Sequence, residues 1–317
     1  LYSPGLVGII ATESSVSNIN GKKGILSYRG YSIEELAQKS TFEETSYLLL
    51  FGELPTSDQL KKFTSKVSQY RDLPEELVLI LKALPKHTRP MDVLQMAVSS
   101  LGTFYDLEVN PEKVKGKEYN DEYFLNTSAT LIGALGSIVA AWHRIRNGDE
   151  PISSKPDCTY AENFLHILGA ENITPLMTRI MDATLVLHGE HTINASTFTA
   201  MVTSSTLANA SQVVASAIGS LSGPLHGGAN EKVIAMLQKI ESKEEIRPWL
   251  DETLKAKNVV WGMGHREYSV KDPRANILTD MVQELFDERD GGVTDIFEKA
   301  IELEKACEEK LSHKGVY

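Results

Sequence analysis

Cysteine and positive charge are both scarce in this chain. The 317 residues include two cysteines, Cys158 and Cys307, which lie far apart and match no metal-ligand spacing. We therefore expect free thiols in a reducing cytoplasm. Lys and Arg number 32 against 43 Asp and Glu, so the net charge is −11. Such a surface repels phosphate backbones, and we expect no nucleic-acid partner.

Long hydrophobic runs are also lacking. The first residues have no basic start followed by a long apolar run, so no secretory signal is predicted. The most apolar stretch, LIGALGSIVAAW at 131–142, is too short to span a bilayer and predicts a buried core helix. We expect a cytoplasmic protein with no membrane partner.

Helical signals dominate what is present. Two β-like runs within residues 5–30 surround Asn20-Gly21 and predict a short N-terminal hairpin. Ser32 followed by Glu35 is a capping-box pattern, and a second helix should start at Thr56 or Ser57. Further helices are predicted near 91–105, 121–147, 160–168, 174–188, 229–240, 273–287 and 293–312. The fold class is therefore all-α with a small hairpin.

The segment 194–223 is dense in Ala, Ser, Thr and Gly. Small side chains let helix backbones approach closely, so it predicts a helix that is buried on several sides or lies at a subunit interface. The Gly-Pro that follows suggests a boundary near residue 222. The chain length also favours two domains, with a large one over 1–222 and a small one over 223–317.

Two histidines lie within the stretch LVLHGEHTINAST. Gly189 interrupts a predicted helix end, so the rings of His188 and His191 could face one cavity. They could be zinc ligands, structural histidines at a helix end, or ligand contacts. The spacing does not match the HExxH metalloprotease motif.

A third histidine, His226, lies among glycines in GPLHGGAN, just before a helix predicted to begin near Ala229. The positive end of a helix dipole favours a neutral imidazole, which can donate a hydrogen bond to a carbonyl oxygen that gains charge. The alternative is a helix-capping loop with an incidental histidine.

The densest cluster is WGMGHREYSVKDPRA, residues 261–275. Gly262 and Gly264 would let a ligand lie against the backbone beside His265. Asp272 is a predicted helix cap before Pro273. Arg274 falls in the first helical turn, where the dipole opposes a cation, so an anion site suited to a carboxylate is predicted. The alternative is a solvated charge run.

Three histidine loops and an arginine suit a reaction at the carbonyl groups of a small anionic acid. The sequence has neither a Walker or Rossmann phosphate loop nor a Gly-x-Ser-x-Gly motif. The blocks GILSYRGYSIEELA, HGEHTINAST, GPLHGGAN and GMGHREYSVKDPRA resemble, in this order, those of citrate synthases. The resemblance extends from about residue 5 to Tyr317.

The resemblance implies an almost all-helical homodimer, or an oligomer of dimers, that condenses acetyl-CoA with oxaloacetate. It implies no metal and no tightly bound cofactor, because acetyl-CoA is a co-substrate. His226 would hold the thioester carbonyl, and His265 would hydrogen-bond the ketone of oxaloacetate. His191 and Arg274 would bind oxaloacetate. The family role implied for Gly262, Met263, Gly264 and Lys314 is to lie near CoA.

Met263, Glu267 and Ser269 depart from the residues usual in the family. The family also places a catalytic carboxylate soon after the region of KGVY, so we expect the natural protein to continue past Tyr317. The alternatives are a 2-methylcitrate synthase, a non-catalytic homologue acting as a binding or assembly protein, and a zinc hydrolase using His188 and His191.

Overall fold

The chain is mainly helical, with one small sheet. The computed structural model describes residues 9–109, 121–265, 267–288 and 294–312. Three antiparallel strands pair in the order β1-β2-β3: Ser17–Asn20, Ile25–Tyr28 and Tyr31–Ser32. The helices are α1 Ile33–Lys39, α2 Phe42–Phe51, α3 Ser57–Gln69, α4 Glu75–Ala83, α5 Pro90–Ser100, α6 Asp121–Asn147, α7 Tyr160–Leu168, α8 Pro175–Leu187, α9 Ala195–Ser204, α10 Ala210–Leu221, α11 Ala229–Gln238, α12 Ile246–Lys255, α13 Pro273–Asp287 and α14 Asp295–Leu311. The predicted fold class is confirmed.

Local signals in the sequence set several of these boundaries. The hairpin turns at Asn20-Gly21, where Asn20 pairs with Ile25. Ser32 caps α1 by accepting from the N–H of Glu35. The cap of α3 is Thr56, which forms a capping box with Gln59. Side-chain caps satisfy N–H groups that have no partner within a helix, so the predicted starts of these elements are confirmed.

Helix α6 is the central helix of the larger core. Its apolar face, including Ala134, Ile138 and Trp142, packs with α5 and with Ala215 and Ile218 of α10. By length and composition alone, the span 122–147 could cross a bilayer, but 61% of its most apolar 18-residue window is buried within the protein. This burial matches the core helix predicted from residues 131–142.

A separate apolar cluster forms in the C-terminal part of the chain. Helices α11, α12 and α14 contribute Leu237, Leu250, Leu303 and Cys307. Helix α13 behaves differently, because its Ile277 and Leu278 pack on the cluster of β2, α1 and α8. The domain division at residue 222 stays a prediction.

One expectation about the helices was wrong. The segment 194–223 is not one continuous helix, because Leu207 has a φ of +61° and Asn209 caps a new helix, α10, by accepting from the N–H of Ser211. Of the two alternatives for this segment, burial applies to α10, which buries Ala215 and Ile218, while α9 has no buried residue. An interface role for this segment stays a prediction. Helices α2, α4 and α12 were not individually predicted.

Candidate active site

The first segment of the site follows the C-terminal end of α8. Thr174 caps this helix and Pro175 occupies its first turn, so the helix starts at a defined residue and ends at Leu187. His188 Nδ1 lies 2.7 Å from the carbonyl oxygen of Thr184, and the side chain is exposed. His188 therefore turns back onto its own helix, while His191 lies three residues further, in the site. The expected convergence of the two rings on one cavity was wrong.

The second segment is the loop that carries His265. Gly262 and Gly264 have φ values of +90° and +82°, a backbone conformation that favours glycine. The two glycines are therefore required by the shape of the loop, whatever room they leave for a ligand. His265 Nδ1 accepts hydrogen bonds from the N–H groups of Glu267, at 3.0 Å, and Tyr268, at 3.2 Å. These contacts select the neutral tautomer that carries its proton on Nε2, where it can be donated.

The third part is the N-terminus of α13. Asp272 caps the helix by accepting from the N–H of Arg274 at 3.0 Å, as predicted. Its carboxylate also binds the Arg274 guanidinium, with Nε at 3.0 Å and Nη2 at 2.7 Å. Burial opposes the charge on Asp272, but the hydrogen bonds from Arg274 outweigh it and hold the pKa of Asp272 below its usual range.

This ion pair corrects the interpretation of Arg274, for which the sequence predicted an anion site suited to a carboxylate. Asp272, two residues away, supplies a carboxylate partner within the chain. Lys271 pairs with Glu304 of α14. Arg266 lies outside the described residues. The guanidinium of Arg274 still has Nη1, which reaches the carbonyl oxygen of Leu187 at 3.4 Å.

The first two segments bring three rings together. The ring centroids of His191 and His265 lie 5.4 Å apart, and those of His265 and Tyr268 lie 4.8 Å apart. His191 Nε2 is 3.3 Å from the hydroxyl oxygen of Tyr268. Burial, and then the charge of Arg274, lower the pKa of His191 to about 4. At neutral pH, His191 is therefore an uncharged group beside a cation, which suits recognition of an anion.

These side chains also include a possible set of metal ligands. Ligand atoms of His191, His265 and Asp272 all lie within 4.8 Å of one another. The set fits a cation poorly, because the Asp272 carboxylate binds Arg274 and His265 Nδ1 accepts from two backbone N–H groups. The hydrogen-bond donors of the cluster suit an anion better than a cation, and the absence of a metal ion from the site stays a prediction.

His226 occupies a separate loop. As predicted, a helix begins at Ala229, with Gly228 at the cap position. His226 Nε2 lies 2.8 Å from the hydroxyl oxygen of Ser196 on α9. Since that contact occupies Nε2, Nδ1 is the nitrogen left to meet a ligand.

A cavity of about 310 Å³ borders the His265 loop. Its apolar lining comes from α11, α14 and the loop, including Val233, Trp261, Met263 and Leu303, and it also reaches His265. The ammonium of Lys232 lies 4.0 Å from the ring centroid of Trp261. The cavity is at the lower end of the range for small-molecule sites. Lys314, predicted to lie near CoA, is outside the described residues.

Sequence reasoning missed three residues of this arrangement. Tyr268 lies within the motif of residues 261–275 and was given no role, although its ring contacts both histidines. Asp272 was assigned as a cap and not as an ion-pair partner. Ser196 lies 30 residues before His226, so no local pattern connects the two. The Asp-x-Arg spacing was the available signal for the ion pair.

Comparisons with known proteins identify the family of the chain. The sequence model of the family described as "Citrate synthase, C-terminal domain" matches residues 5–317. The chain belongs to the citrate synthase family. A curated citrate synthase of Acidithiobacillus ferridurans is 42% identical over 316 residues, which are 100% of this chain and 81% of that protein.

Two further relatives bear on the substrates of this citrate synthase family member. A citrate synthase of Thermoplasma acidophilum, solved as a ternary complex with carboxymethyl coenzyme A and oxaloacetate, superposes with a TM-score of 0.89 at 29% identity, covering 100% of this chain and 81% of that one. A 2-methylcitrate synthase of Shewanella oneidensis is 37% identical over 286 residues, covering 90% of this chain and 73% of that protein.

Proposed function

We propose that the protein condenses acetyl-CoA with oxaloacetate to give citrate and CoA. The observation that carries the proposal is the meeting of His191, His265 and Arg274, in a chain whose family model spans residues 5–317. A dicarboxylate with a ketone needs a cation for a carboxylate and a neutral donor for the ketone oxygen. The site has both within one cluster.

In this proposal, His265 donates its Nε2 proton to the ketone oxygen of oxaloacetate. Two backbone N–H groups fix the ring and its tautomer through Nδ1, so the donor is preorganised. His191 donates a second hydrogen bond, and Arg274 binds a carboxylate. Preorganised donors aimed at an oxygen that gains charge are among the largest contributions to enzymatic rate.

His226 acts on the other substrate. Ser196 holds its Nε2, and Nδ1 donates to the thioester carbonyl as that oxygen gains charge during enolisation. The methyl proton also needs a positioned base. Gly262, Met263, Gly264 and Lys314 are proposed to contact CoA, and no tightly bound cofactor or metal takes part.

The protein is further proposed to act in the cytoplasm as a homodimer or an oligomer of dimers. Cys158 and Cys307 are both free thiols, in keeping with a reducing compartment. Gel filtration with light scattering tests the oligomeric state.

Two measurements test the proposed activity. Titration calorimetry should detect oxaloacetate binding, and a CoA-release assay with acetyl-CoA and oxaloacetate should detect turnover. Citrate is identified by mass spectrometry. Absence of CoA release would contradict the proposed activity, and failure to bind oxaloacetate would contradict the site.

The 37% identity to a 2-methylcitrate synthase supports a second candidate, with propionyl-CoA as the acyl donor. The same assay with acetyl-CoA and propionyl-CoA at equal concentration distinguishes the two. A larger kcat/KM for propionyl-CoA would replace the first proposal with the second.

A further inference from the structure

The turn of the N-terminal hairpin contacts the His265 loop directly. The N–H of Ser269 donates to the carbonyl oxygen of Gly21 at 3.0 Å. A Cβ atom added to Gly21 would lie 1.7 Å from the carbonyl oxygen of Glu267 and 3.3 Å from the Cα of Tyr268. Since neither atom belongs to a flexible side chain, only glycine allows the turn and the loop to approach this closely.

The other ends of the same strands contact the His191 segment. The hydroxyl of Tyr28 donates to the carbonyl oxygen of Leu187 at 3.3 Å and accepts from the N–H of Glu190 at 3.2 Å. Ser17 Oγ accepts from the N–H of Thr192 at 3.3 Å and donates to the Glu190 carboxylate at 3.0 Å. Both flanks of the site histidine are therefore held by β1 and β2.

The buried face of β2 joins the helices behind these segments. Leu26 and Tyr28 are fully buried and pack with Leu187 at the end of α8. Ile277 and Leu278 of α13 pack against the same cluster, one turn after Arg274. One sheet thus contacts all three parts of the site, although it precedes them by more than 150 residues.

We propose that this sheet is a brace that fixes the His191 and His265 segments relative to each other, with Ser17, Gly21 and Tyr28 as positioning residues. The proposal rests on the proposed function for the identity of the ligand. None of the three residues needs to touch that ligand. Each holds backbone from which a binding side chain projects.

Hydrogen bonds to one ligand from two loops act together only when the loops are already at the right separation, because ordering them on binding lowers the affinity. Removal of the Tyr28 hydroxyl leaves the N–H of Glu190 and the carbonyl of Leu187 without this partner. The backbone on both sides of that contact then gains freedom that binding must remove.

Two variants and two matched controls test the brace. Tyr28→Phe and Gly21→Ala disrupt it at its two ends. Tyr160→Phe is the first control, because its buried hydroxyl donates to the carbonyl oxygen of Ile132, within another core cluster. Lys22→Ala is the second control, since Lys22 is exposed in the same turn as Gly21. The readouts are the Kd of oxaloacetate by calorimetry and deuterium uptake by backbone amides without ligand.

Tyr28→Phe, which removes the hydroxyl that bonds two backbone groups, and Gly21→Ala, which forces the turn and the loop apart, should each raise the Kd by roughly five- to twentyfold. Amide exchange should accelerate at 187–192 in Tyr28→Phe and at 267–271 in Gly21→Ala, while both controls match the parent. An unchanged Kd and unchanged exchange in Tyr28→Phe would overturn the brace. So would equal losses in Tyr160→Phe, which would mark a general effect of stability.

The exchange measurement separates this proposal from the proposed function. A parent protein that binds no oxaloacetate contradicts the function, whereas the exchange rates of the unliganded variants still decide whether the sheet holds the two segments. Should Gly21→Ala fail to fold, Ser17→Ala tests the same sheet at the His191 segment, with accelerated exchange at 187–192 expected and parental exchange contradicting the brace.

Discussion

Two histidine loops carry the proposed electrophilic groups, and they are held in different ways. The His265 loop contacts the N-terminal sheet, and its ring accepts from the backbone of the same loop. The His226 loop is closed on itself, because the carbonyl oxygen of Gly223 accepts from the N–H groups of His226 and Gly228. Its neighbour Leu225 is 95% exposed. Within the part of the chain that the structure describes, the His226 ring is oriented by one hydroxyl, that of Ser196.

The two loops differ in the part of the chain that supplies their restraining contacts. The His265 loop depends on residues almost 250 positions earlier in the chain, whereas the His226 loop depends on its own turn and on one neighbouring helix. We expect the first to be preorganised for a ligand that binds through several groups. The second should be easier to perturb by changing one side chain.

The largest effect is expected from His265→Ala. If Nε2 donates to the ketone oxygen as it gains charge, the loss removes an interaction made mainly in the transition state, and kcat should fall by about 10²–10³. Steady-state CoA release by the whole enzyme measures it. His143→Ala, on an exposed position of α6, is the control. A His265 variant within about threefold of the parent would remove His265 from catalysis.

Arg274→Lys should have the next largest effect. A lysine cannot reproduce a planar guanidinium that binds Asp272 through two nitrogens and still presents a third. Oxaloacetate binding should weaken by about 1.5–3 kcal/mol, the range for a charged hydrogen bond. Calorimetry compares it with Arg247→Lys, whose ion pairs with Glu302 and Glu309 lie on exposed surface. Equal affinities in both variants would mean that Arg274 serves only its helix cap.

Turns, caps and helix starts show how much of the site the sequence could predict. The turn at Asn20-Gly21, the cap at Asp272 and the helix start at Ala229 were predictable, because each depends on neighbours within a few residues. The contact between Gly21 and the backbone of Glu267 could not be predicted, because no residue near Gly21 in the sequence indicates that the His265 loop packs against it. The all-α class followed from capping patterns and helical stretches along the chain, which are local signals of the same kind.

The separate helices α9 and α10 show a further limit. Their composition suggested one continuous helix, and the break depends on the positive φ of Leu207 together with the cap at Asn209. Asn is common at helix caps, so Asn209 is a signal that the sequence contains. The small residues around it gave no further reason to expect an interruption.

Ser196→Ala sharpens the comparison from the side of the His226 loop. Loss of the hydroxyl frees Nε2 of His226 and should lower kcat by about tenfold, near the upper limit for one neutral hydrogen bond. The Kd of oxaloacetate should not change, because His191 and His265 are untouched. Ser204→Ala, at an exposed hydroxyl on the same helix, is the control. A change in oxaloacetate affinity with no change in kcat would reverse the assignment.

The smallest effect concerns pH. Burial lowers the pKa of His191 from 6.5 to about 4, so the folded state holds the neutral ring while the unfolded state binds a proton below pH 6.5. The free energy of unfolding should therefore fall as the pH drops from about 6.5 towards 4. For a half-exposed ring, the loss should be about 1 kcal/mol after screening by solvent.

Urea denaturation of the parent and of His191→Gln at several pH values measures this contribution. The glutamine variant cannot take up the proton, so its stability should depend less steeply on pH between 6.5 and 4. Parallel curves for the two proteins would show that the ring is not protected from protonation in the fold.

The close approach at Gly21 has a consequence for how the chain samples its conformations. The φ of Gly21 is not positive, so its backbone conformation would accept alanine when the turn is not in contact with the His265 loop. Only the state in which the Glu267 carbonyl lies against the turn rejects a methyl group. Alanine at this position should therefore raise the free energy of the state in which the turn and the loop are in contact. It should leave the state in which they are apart unchanged, which is the requirement for shifting a two-state population. A fluorescent pair on the turn and the loop would then report the separated state at equilibrium, without any ligand being added.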